Sequence, residues 1–177
     1  MFTTKSPMKH LLFTAAVLLS LPVAARAAGA PPKLEELPAG ALIAQAYVVR
    51  GADFIERAKA DPKMIIESVL DAKRTDALYL IVTFANPSKD GMGVARVAYT
   101  FTMVYPDGTK LASGTTALKG LEGPLPAALQ KSWMFASAKA KLPLNDKSPA
   151  GTYKFNVIVK DMMSGTEWPS DIEVTIK

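Results

Sequence analysis

The chain reads as all-β, a single antiparallel sandwich of about seven strands. Three observations predict it. Apolar and polar residues alternate with period two in its longest patterned stretches, above all Tyr153–Val159 and Tyr99–Tyr105. Turn formers recur between these stretches, as Pro106-Asp107-Gly108-Thr109 and Ser164-Gly165 do. The clearest helical signature is short, a capping-box spacing over 53–60, so at most a short helix is expected beside the strands.

The C-terminal stretch from Gly151 to Lys177 is the most legible. Tyr153, Phe155, Val157 and Val159 fall on one face, with Lys154, Asn156 and Lys160 on the other. Ile158 breaks the polar face and suggests that part of it is covered. Ser164-Gly165 turns the chain, and Ile172, Val174 and Ile176 alternate with Glu173, Thr175 and Lys177 in the return strand. Trp168-Pro169 interrupts that strand, because proline donates nothing to a ladder and suits an edge or a bulge. The lead Pro149-x-Gly151-x-Tyr153, Asp161 at the strand end and the Ser164-Gly165 turn resemble the ending of bacterial immunoglobulin-like and fibronectin-type-III-like modules. The resemblance covers about the last thirty residues and implies an immunoglobulin-like sandwich; it is nearly silent on function, since such modules host many roles.

The N-terminal segment reads as a secretory signal peptide, residues 1–27. Lys5 and Lys9 precede an apolar run from Leu11 to Ala25, which is short for a membrane span, and Ala25-Arg26-Ala27 supplies the small-x-small cleavage pattern. Cleavage after Ala27 removes three cations and no acid, so the formal charge falls from +5 by three to +2. That leaves no electrostatic reason to expect a nucleic-acid partner. His10, the only histidine, is removed as well, and the chain has no cysteine. A Ser-His-Asp triad, a Cys-His pair, the usual zinc sites and a disulfide framework are all excluded for the mature protein. No cofactor is expected, no lipid anchor through an N-terminal cysteine and no stable transmembrane anchor. The destination is an oxidising compartment, the periplasm or the exterior. A mature chain of 177 − 27 = 150 residues buries roughly two-thirds of its unfolded surface without cross-links.

Residues 28–40 form a Pro-rich leader, and the sandwich domain is expected over 41–177. Ala46–Arg50 is its first strand. Gly51–Ala60 is a helix, with Asp53 and Glu56 spaced as a capping box and Asp61-Pro62 ending it. Met64–Leu70 reads as a strand slightly better than as a second helix, and 71–76 as a charged turn. Leu78–Ala85 is apolar on both faces and belongs in the middle of a sheet. Asn86–Gly93 is an exposed loop, and Val94–Tyr105 with Lys110–Thr116 is a hairpin about Pro106–Thr109. Ala117–Lys131, with two glycines and two prolines, is a long link between sheets. Ser132–Leu142 is the next strand, with Lys139 and Lys141 on its solvated face.

No motif identifies an active site, so the chain is not expected to be an enzyme. Met162 and Met163 are adjacent, point to opposite faces of a strand and make a poor copper chelate. Asp107, Asp146 and Asp161 lack the spacing of a calcium loop. The candidate binding residues are Trp168, Trp133 and Tyr105, large aromatics suited to a sugar or a peptide. The expected function is that of an exported, non-catalytic binding or accessory protein engaging an envelope or extracellular protein through a strand edge or loops. Two alternatives stand beside it: a carbohydrate-binding module, and a small hydrolase built on two carboxylates about 5 to 9.5 Å apart.

Overall fold

Two β-sheets face each other across a shared apolar core, as a computed structural model that describes residues 37–61, 64–112 and 117–177 shows. These residues fall in one compact unit, Pro32–Lys177. The signal peptide, most of the leader and residues 113–116 of the expected return strand lie outside the described residues.

The smaller sheet is built on β1 (Ile43–Arg50), β3 (Leu78–Ala85), β7 (Met134–Phe135) and β8 (Ala140–Lys141). Strand β3 lies between β1 and the short β7 and β8. Its central place follows from its composition: Leu78, Leu80, Val82 and Phe84 enter the main core, while Ile81 packs on the opposite face against the helix α1 (Phe54–Ala60). The larger sheet runs β2 (Asp71–Ala72), β10 (Glu167–Ile176), β9 (Gly151–Asp161), β4 (Val94–Val104), with β5 (Lys110–Ala112) and β6 (Leu118–Pro124) both on the far side of β4. All pairings are antiparallel except β2 with β10. Tyr153, Phe155, Val157 and Val159 of β9 are buried against Tyr99, Phe101 and Met103 of β4 and the inner face of β3. Burying side chains of this size contributes about 1.5–3 kcal/mol each.

Several expectations need correction. Strand β1 starts three residues early, at Ile43. Helix α1 starts at Phe54 but has no capping box: the Asp53 side chain caps nothing and pairs with Arg57 at 3.0 Å, while Glu56 reaches Lys139 at 3.5 Å. Lys139 is thereby tied down rather than solvated, and its amine also donates to the Ala52 carbonyl. Residues 64–70 form no ladder strand, and the strand lies instead at Asp71–Ala72, inside the expected turn. The loop after β3 begins buried, because Asn86 at φ 56° donates to the carbonyls of Pro38 and Ala41. Ile158 is 42% exposed, so the outer face of β9 is uncovered there. No bulge occurs at Trp168-Pro169, and the β9–β10 register is continuous from Glu167 to Ile176.

Two stretches exchange roles. The Gly/Pro-rich link contains strand β6, which pairs with β4 around an irregularity between Val97 and Ala98. The expected strand 132–142 is broken into β7 and β8. Its middle leaves β3 and crosses to the other sheet, where the Ser137 and Ala138 N–H groups donate to Gly120 and Lys119 of β6 at 2.8 and 2.9 Å. Main-chain bonds thus lace the two sheets together on this side.

Candidate functional site

The opposite side, between β1 and β10, is closed over only part of its length. Ser68 and Val69 run along β1, and the chain then crosses to β10. Val69 N–H donates to the Val48 carbonyl at 2.8 Å, and the Ser68 hydroxyl accepts from Val48 N–H at 3.2 Å. The Leu70 carbonyl then accepts from Thr175 N–H at 2.8 Å, and Asp71–Ala72 pairs with Thr175–Ile176. Before that crossing, one strap among the described residues joins the edges of β1 and β10, Ala46 N–H donating to the Ser170 hydroxyl at 3.1 Å.

A groove of about 670 Å³ opens there. Gln45 and Tyr47 line it from β1; Ser170, Asp171, Ile172 and Glu173 from β10; Ile66, Glu67, Ser68 and Leu70 from the crossing segment. Ala46 and Ile172 are buried at its base, while Leu70 stands 70% exposed at its rim. Burial of Tyr47 raises its hydroxyl pKa above the ordinary value.

The backbone of β10 supplies the chemistry of this groove. A strand residue points its N–H and C=O to the same edge, and alternate residues point to opposite edges. Thr175 N–H faces the crossing segment, so Glu173, Asp171 and Pro169 face that edge too. Among the described residues the main-chain groups of Asp171 and Glu173 on this edge have no partner. Pro169 has no N–H to leave unpaired, which is why a proline is tolerated in this strand. The side chains beside this open ladder are acidic, Glu67, Asp171 and Glu173, and among the described residues no cation lines the groove. On the outer face of the sheet Asp171 accepts from Asn156 at 3.0 Å, and Glu173 pairs with Lys154 at 2.8 Å. Glu173 raises the pKa of the Lys154 amine.

The three aromatic candidates lie elsewhere and are not brought together. Trp168 sits at the start of β10, opposite Val159, and packs against the core. Tyr105 lies past the end of β4, its ring 5.5 Å from that of Tyr153 at the other end of β9. The six residue steps from Tyr153 to Val159 separate these two ring sites by about 20 Å. Trp133 is 40% exposed, on the smaller sheet beside β7. The groove escaped sequence reasoning because it is assembled from 45–47, 66–70 and 170–173. Its one local signal was Pro169 ahead of alternating Asp171 and Glu173.

Other polar groups are absorbed by the fold. Asp161 is fully buried and accepts from the N–H groups of Ser88 at 2.6 Å, Met163 at 2.9 Å and Ser164 at 3.3 Å. Asp107 holds Thr109 N–H, a bond that lowers its carboxyl pKa. Among the described residues no group of three or more His, Cys, Asp and Glu side chains is placed to hold a metal ion, and no helix is long and apolar enough to cross a membrane.

No family model and no curated protein matches the chain. Among solved structures it is similar to a family 123 glycoside hydrolase from Clostridium perfringens, described for glycolipid glycan hydrolysis (TM-score 0.40, 12% identity, 77% of this chain and 27% of that one). It is also similar to a Niemann-Pick type C2 protein from the Japanese carpenter ant (TM-score 0.39, 12% identity, 76% and 93%). A third is the CARDB domain of a Pyrococcus furiosus protein in complex with di-metal ions (TM-score 0.37, 14% identity, 83% and 98%). The chain spans about a quarter of the hydrolase. Likeness at this level bears on neither ligand nor activity.

Proposed function

We propose that this chain is an exported, non-catalytic binding or accessory module that engages another envelope protein by strand addition along the edge of β10. One observation carries the reading: among the described residues the ladder groups of Asp171 and Glu173 are unpaired in an open groove, while the far side of the sandwich is laced by cross-sheet bonds. An unpaired edge is a template for an extended partner segment, with main-chain hydrogen bonds supplying affinity. Supporting it, the N-terminal segment has the pattern of a signal peptide, and the chain beyond it has no histidine or cysteine.

A photo-crosslinking amino acid placed at Asp171 or Glu173 and irradiated in intact cells tests the reading. A single discrete envelope protein is expected at both positions and not from Lys141, an exposed position on β8. No adduct, or the same adducts from Lys141, would overturn it. Fractionation accompanies this: the chain is expected outside the cytoplasm, with its N-terminus at Ala28. An uncleaved chain retained in the cytoplasm contradicts export.

A further inference from the structure

We infer that the segment taken up by the β10 edge is an extended peptide with basic side chains at alternate positions. This rests on the edge reading above. A strand added to β10 places its own side chains alternately on the outer face of the larger sheet, beside those of Asp171 and Glu173. Both are carboxylates two residues apart on that face, so lysine or arginine at every second position of the partner meets one carboxylate each. Glu67, exposed on the crossing segment, adds a third negative charge at the groove wall. Among the described residues the groove lining contributes no cation of its own, and Lys154 on β9 is shared with Glu173. An acidic segment would bring like charges into register along the same ladder, which is destabilising. The intervening positions of the segment face the groove base, where Ile172 and Ala46 favour small or apolar side chains.

The test uses three synthetic peptides of about eight residues, the length of an ordinary strand. Each alternates valine with lysine, glutamine or glutamate. Binding to the purified chain is followed by backbone amide shifts and by titration at low and high salt. The lysine peptide is expected to bind with its largest shifts at Asp171 and Glu173, to weaken with salt, and to lose roughly three- to tenfold in affinity in the double variant Asp171→Asn, Glu173→Gln. These exposed substitutions leave the core untouched, and a control variant, Glu122→Gln on β6, is expected to bind as the parent does. Equal binding of all three peptides at this edge would overturn the charge preference and leave the edge reading standing. Shifts located elsewhere, or no binding by any peptide, would overturn both.

Discussion

Tyr153 shows why the lead into β9 has the residues it has. Its hydroxyl donates to the Pro149 carbonyl at 2.9 Å, tying the lead-in to the strand, and its ring is fully buried beside Tyr105. Gly151 between them has φ 131°, and a Cβ there would lie 2.8 Å from Pro106. Tyr153→Phe is therefore expected to lower stability by about 1 kcal/mol in urea titration, and Gly151→Ala by more, since it adds backbone strain and a clash. Asp161 organises the other end of β9: Asp161→Ala strands three N–H donors and should cost about 3 kcal/mol or more, with Asp161→Asn recovering part of the loss. Burial raises the hydroxyl pKa values of Tyr99, Tyr47 and Tyr153, most strongly for Tyr99. The folded chain thus holds these protons more tightly than the unfolded chain does. Their contribution is fully present below the ordinary tyrosine value of about 10 and is lost as pH rises above it. The tyrosinate absorbance of Tyr99, isolated as the difference between the parent chain and Tyr99→Phe, should therefore appear together with loss of native signal in an alkaline titration; Tyr99 tyrosinate formed in a chain that stays folded would contradict its burial.

At the scale of elements, the strands with a simple period were legible in sequence and the others were not. Strand β3 runs over the expected residues because two apolar faces admit only a central position. The β9–β10 hairpin follows its alternation, and its turn falls at Gly165, φ 76°. Strand β6 was hidden because its glycines and prolines resemble a loop, yet Gly120 is there to let two backbones meet: a Cβ at that position would sit 2.8 Å from the Val97 carbonyl oxygen. Gly120→Ala is expected to destabilise by about 1–3 kcal/mol, the usual range for overpacking, and to speed amide exchange at Ser137, whose N–H bonds the Gly120 carbonyl. Unchanged stability would mean that β6 and β4 are further apart than this. The segment 132–142 misled for a related reason. Its composition suits a strand, but its middle residues bond across to β6, a long-range choice that period and propensity do not encode.

The whole molecule is a sandwich whose two sides are sealed unequally, and that inequality is the basis of its proposed role. One side is joined through Ser137 and Ala138; the other through Ser68–Ala72 and the strap from Ala46 to Ser170. Ser170→Ala should cost about 1 kcal/mol and widen the groove without unfolding the chain, which faster amide exchange at Ala46 would register. Aromatic residues chosen from sequence as binding candidates are spread over both sheets and both ends of β9, whereas the groove gathers backbone from three distant segments. A side chain's type can be read from sequence; an unpaired main-chain edge cannot, because it depends on which strand fails to arrive beside it. Amide exchange along β10 tests that edge most directly. In the unliganded chain Asp171 and Glu173 should exchange fast while Ile172 and Val174, facing β9, exchange slowly. Saturation with the alternating lysine–valine peptide should slow the first pair and leave the second unchanged. Protection of Asp171 and Glu173 before any peptide is added, or no change at saturation, would contradict an open, strand-accepting edge.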